Sequence, residues 1–170
     1  MKPSVSNLID LLDKPALMRW ANKIGLQGIP LDDYKSKSKS EGTDYHLAVE
    51  NFLKFGMLSE EEGFNNKMQS FFKDKEILGS EVSIEHELFL GRYDVKLKWK
   101  DFVFVCDFKS GKSVYFETKL QLAAYAMVEK CHVAVVKIPD FILHPITYDV
   151  PVYEEMITLL ARLWELKSRA

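Results

Sequence analysis

Residues 102–108 read FVFVCDF, a nearly continuous apolar run that closes on a carboxylate. A strand apolar at almost every position is buried on both faces, so this one belongs in the middle of a sheet covered by helices. HVAVVKI at 132–138 predicts another buried strand, broken by Pro139. Two earlier segments alternate instead. In 81–88, Val82, Ile84, His86 and Leu88 share one face, and Glu81, Ser83, Glu85 and Glu87 the other. In 92–99, Tyr93, Val95, Leu97 and Trp99 share a face. Such alternation predicts half-buried strands. Lys100-Asp101 is a tight turn into the central run, and 141–148 can add an edge strand.

The rest reads as helices and one polar loop. Residues 3–26 predict one or two short helices, with Pro15 in a first turn and Gly25 at an end. Segments 43–57, 59–75, 116–130 and 151–168 predict the others, the last with Pro151 in its first turn. The expected organisation is a single domain over 1–170. It has an N-terminal helical segment (1–30), a polar loop (31–41) holding Lys35, Lys37 and Lys39, and a core over 42–170. The fold class is α/β, a mixed central β-sheet flanked by helices.

Cys106 and Cys131 are the only cysteines. Two cannot build a disulfide framework or hold a four-thiolate cluster, and the expected setting is reducing and cytoplasmic. No signal peptide and no membrane-spanning run is expected. The net charge of −2 is unlike the basic balance of many nucleic-acid binders. Basic contacts would then be local, from Lys35, Lys37 and Lys39 or from Lys96, Lys98 and Lys100.

The chemistry gathers at the end of the central run. Asp107 and Lys109, two apart on a strand, point to the same face. A carboxylate ending an apolar strand is costly unless it is paired or metal-bound. A plain Asp107–Lys109 ion pair is the bland alternative. A hairpin turning at Lys100-Asp101 sets Asp94 across from about position 107. Two facing carboxylates cannot both stay ionised without a cation between them. Mg²⁺ or Mn²⁺ suits such an oxygen-rich site, and the Phe108 carbonyl can add a ligand. His46 and Glu50, at i and i+4 on a helix, could reach one ion or form a surface pair. Gln121 and Tyr125 repeat that spacing and could be site residues or a polar stripe on a packed helix.

The series Gly42-Thr-Asp-Tyr-His46, Glu81, Gly91-Arg-Tyr-Asp94, Asp107-Phe-Lys109 and Gln121-Leu-Ala-Ala-Tyr125 resembles the PD-(D/E)xK nuclease superfamily, in its RecB-type exonuclease branch with phage-encoded members. The resemblance spans about residues 3–130, and five short motifs stand in the family's order. It implies a restriction-endonuclease-like core and metal-dependent hydrolysis of phosphodiester bonds in single- or double-stranded DNA, by exonuclease action. It casts Asp94 and Asp107 as metal-binding acids, His46 as a further metal ligand and Lys109 as the catalytic lysine. Gln121 and Tyr125 become the residues that orient DNA or the lysine. A helicase or recombination partner is implied as well. The alternatives are an RNA endonuclease of cap-snatching type and a non-catalytic nuclease-fold module that binds DNA or a partner. Two departures stand out. Tyr93 occupies the place of the family's proline, and the cysteines of the iron–sulfur members are missing. Glu81 fits either an outer acid of the site or a solvent-facing strand residue.

Overall fold

The computed structural model describes residues 2–28, 44–111 and 113–169. The polar loop with Lys35, Lys37 and Lys39, the pair Gly42-Thr43, and Lys112 lie outside them. In chain order the elements are α1 (Val5–Ile9), α2 (Pro15–Leu26), α3 (helical over 44–55) and α4 (Glu62–Phe72). Then come β1 (Glu76–Glu85), β2 (Leu90–Trp99), β3 (Phe102–Lys109), α5 (Phe116–Glu129), β4 (His132–Lys137), β5 (Ile142–Pro145) and α6 (Val150–Arg169).

The five strands form one mixed sheet in the order β1-β2-β3-β4-β5. Tight turns make β1, β2 and β3 antiparallel neighbours. β4 runs parallel to β3, as it must when a whole helix, α5, carries the chain between them. β5 closes the edge antiparallel to β4. The two apolar runs therefore sit side by side at the centre, and each sends alternate residues into opposite cores. Val105, Val133 and Val135 join the core beneath α1, α5 and α6. Phe104, Cys106, Phe108, Ala134 and Val136 join the core beneath α3 and α4. The domain is thus a mixed sheet with helices on both faces.

Three local features shape the first two strands. Ser4 caps α1 by a reciprocal pair of hydrogen bonds with Asn7, and the Leu90 N–H donates to the Pro3 carbonyl, clipping the N-terminal segment to the start of β2. β1 begins at Glu76, five residues before the expected 81. Its register slips between Ile77 and Gly79, and this irregularity hides the period of two there. Residues 86–88, read as strand, belong with Phe89 to the turn into β2, closed by a hydrogen bond from the His86 N–H to the Phe89 carbonyl. The expected common face of Tyr93, Val95, Leu97 and Trp99 also breaks. Val95 and Leu97 enter the core under α3 and α4, whereas Tyr93 enters the one under α5. The break falls at Asp94, beside Glu81, which holds the left-handed conformation with φ of 53°.

Candidate active site

The β2–β3 ladder runs from Trp99 opposite Phe102 to Val95 opposite Cys106. One further step along that register sets Asp94 opposite Asp107, but there the backbone ladder stops. The Asp94 side chain takes over, its Oδ2 accepting from the Phe108 N–H at 2.6 Å. A carboxylate standing in for a backbone carbonyl lets the two strands part while Phe108 keeps a partner. It also points the Asp94 carboxyl across to β3.

Asp107 is 3% exposed. Lys109 Nζ lies 2.7 Å from Asp107 Oδ2. The two groups therefore form the ion pair that the sequence left open as the bland alternative, and Asp107 has its countercharge in Lys109. Asp107 and Lys109 thus share a face, as the two-residue spacing predicts. His46, from α3, brings Nδ1 to 3.8 Å from Asp94 Oδ2 and sets its ring edge-on to Phe108 at 6.0 Å.

The electrostatics follow from this crowding. Burial, then the neighbouring Asp107, push the Asp94 carboxyl up to about 8, against the Phe108 hydrogen bond and Lys109, which favour its charge. One lysine faces two acids, so Asp94 holds its proton into the neutral range, and the cluster carries one negative charge too many for a buried place once that proton leaves. Burial also lowers the His46 pKa, with Asp107 opposing, and so favours the neutral imidazole that a metal ligand requires.

Glu81 belongs to this neighbourhood. Its backbone stands beside Asp94 across the β1–β2 pair, and burial raises its pKa, with Glu50 and Asp107 adding to the rise. Arg92 Nε holds it at 3.0 Å. The Glu81 side chain is largely buried and does not face solvent. Glu50 is paired instead with Lys54 at 2.6 Å, on its own helix. Sequence reasoning missed Arg92, two residues before Asp94, and Lys137. The latter sits beside Lys109 in the parallel register. It donates to the carbonyls of Gly111 and Ser113, pinning the turn that follows Lys109. Only the pairing of β3 with β4 brings it there, and no local signal carries that.

Gln121 and Tyr125 do meet, the Gln121 amide donating to the Tyr125 hydroxyl at 2.7 Å. They line a groove of about 330 Å³ with Ser4, Gly91 and Arg92. Neither this groove nor a larger cavity of about 990 Å³ between the N-terminus and α6 is lined by Asp94, Asp107 or Lys109. Among the proposed basic contacts, Lys96 is engaged by Glu129, and Lys100 lies over the Trp99 ring.

Two carboxylates, a neutral imidazole and a backbone carbonyl are hard or borderline donors of the kind that Mg²⁺ and Mn²⁺ accept. Among the described residues, no three His, Cys, Asp or Glu side chains gather as a ready-made cage. An ion of this kind does not need one, since Mg²⁺ commonly takes one or two carboxylates and fills its remaining positions with water and phosphate oxygens.

No family model matches the chain, and no curated protein does. Among solved structures it is similar to one described as "Crystal structure of SSO0001", with 16% identity and a TM-score of 0.49 over 95% of this chain and 76% of that one. A likeness that weak carries no argument about activity.

Proposed function

We propose that this chain is a metal-dependent nuclease that hydrolyses phosphodiester bonds in DNA, on a restriction-endonuclease-like core. The observation that carries the reading is the Asp94–Asp107 pair, held where β2 and β3 part, with more negative charge than Lys109 balances. Asp94 and Asp107 would hold Mg²⁺ or Mn²⁺, with His46 and the Phe108 carbonyl as further ligands. A bound ion would supply charge neutralisation at the phosphate and an acidified water.

The chain's own groups do the rest. Lys109, anchored beside Asp107, is placed to donate hydrogen bonds that position the attacking water. Gln121 and Tyr125 present a linked amide and hydroxyl on the groove wall, where they orient the nucleic-acid backbone or the lysine. Arg92 lines the same groove. Exonuclease action in a cytoplasmic setting, beside a helicase or recombination partner, extends this reading from the family resemblance.

The test is cleavage of end-labelled single- and double-stranded DNA and RNA in Mn²⁺, Mg²⁺ and chelator. A covalently closed circle runs beside its linear form. Metal-dependent loss of linear DNA, with the circle intact, is the expected result. No cleavage of any substrate in either metal would remove the enzymatic reading, and rapid nicking of the circle would make the protein an endonuclease.

A further inference from the structure

Helix α6 packs on α1 and α5 along one side, burying Ile157, Leu160 and Ala161. Its opposite side is also apolar. Val152 is 42% exposed, Leu159 62%, Leu163 44% and Leu166 49%. With Met156, which is half-buried and also touches the core at the edge of this side, these residues follow a strict seven-residue pattern, Val152, Leu159 and Leu166 at one seam position and Met156 and Leu163 at the other. That is the spacing of a helix made to meet another helix lengthwise.

We propose that this seam pairs with α6 of a second copy of the chain, antiparallel, in a twofold dimer. The charges beside the seam select both occupant and direction. Glu155, Arg162 and Arg169 lie along one flank at seven-residue intervals. Among the described residues no ion pair involves Glu155, while Arg162, at 2.7 Å, and Arg169 share Glu165. The flank is therefore negative towards the helix start and carries surplus positive charge towards its end, so it complements itself when reversed. Setting Leu159 against Leu163 of the second copy, and Met156 against Leu166, brings Glu155 to Arg169 of that copy twice over, by symmetry. Arg162 meets its own equivalent at the axis, each already held by its Glu165. A parallel pairing would set Arg162 against Lys167 and leave Glu155 facing the buried Leu160. This inference does not rest on the nuclease reading.

The experiment is sedimentation equilibrium of the whole chain, wild type beside Leu163→Glu, Glu155→Arg and Arg169→Glu, with circular dichroism melts to show that each is folded. A wild-type dimer is expected, and each single substitution should raise its dissociation constant by at least about tenfold, through two unfavourable contacts per dimer. Mixing the Glu155→Arg and Arg169→Glu proteins should restore a dimer, since both cross-pairs then match. A wild type that stays monomeric overturns the proposal, and so does a dimer indifferent to Leu163→Glu or a mixture that fails to associate.

Discussion

Asp94→Asn tests the charge excess without changing the shape of the site. The asparagine Oδ1 can still accept from the Phe108 N–H, so the geometry that parts β2 from β3 survives. What disappears is a carboxyl raised from 3.8 to about 8. An acid whose folded pKa is raised binds its proton more tightly in the folded state. Its favourable contribution is complete below the unfolded value and is lost as pH climbs through the folded one. Each pKa unit is worth about 1.4 kcal/mol, so metal-free wild type gives up on the order of 5 kcal/mol between pH 4 and pH 8 at this position. Realising half of that corresponds to roughly 5–10 °C in melting temperature for a domain of this size. Asparagine has nothing to titrate. In chelator, Asp94→Asn should melt several degrees above wild type at pH 8, and the gap should close towards pH 4. Mn²⁺ should narrow that gap or close it, since an ion at a hundredfold excess over its dissociation constant stabilises a protein that binds it by about 2.7 kcal/mol. Melts of both proteins at pH 4, 6 and 8, in chelator and in Mn²⁺, check this. A substitution that destabilises the metal-free protein at pH 8, or a gap that does not depend on pH, would show that the Asp94 charge is already compensated and would refute the reasoning.

Lys109→Ala should abolish cleavage while keeping most of the Mn²⁺-dependent rise in melting temperature, because the lysine is not a ligand. Near-normal activity would remove its role. His46→Ala should weaken Mn²⁺ binding, read by calorimetric titration, more than Mg²⁺ binding, since imidazole prefers the softer ion. Equal small losses would make His46 a neighbour only. Gly91→Ala puts a Cβ 3.1 Å from both the Tyr125 ring and Ile84, so both must give way. A loss of about 1–3 kcal/mol in chemical denaturation is expected, with cleavage reduced because Tyr125 moves. An unchanged denaturation midpoint would mean that the groove wall yields without cost.

The acid pair was legible because a two-residue turn at Lys100-Asp101 leaves little freedom of register. Counting outward from it places Asp94 against Asp107, and the ladder reaches the pair just before them. The central strands were legible because both of their faces are apolar. The face of Tyr93 was not, since a single left-handed residue on the neighbouring strand, Glu81, defeats the alternation. The early start of β1 was lost for a like reason, at the Ile77–Gly79 slip. Lys96 reads as a free surface cation until α5 delivers Glu129, 33 positions on in the chain, to hold it. Partners of that separation follow from how strands and helices are stacked, and a local pattern does not carry them.

The parallel join of β3 to β4 bears on how the molecule reaches its native state. The β2–β3 hairpin closes over two residues, a contact of low sequence separation that can form quickly. Lys137 arrives beside Lys109 only after α5 has folded back over the sheet, a closure of much longer range. Hairpin closure by itself therefore brings Asp94 and Asp107 together, before β4 docks beside them. Their repulsion would then act on an early hairpin, and the same pair of acids would set part of the barrier to folding as well as the affinity for a cation.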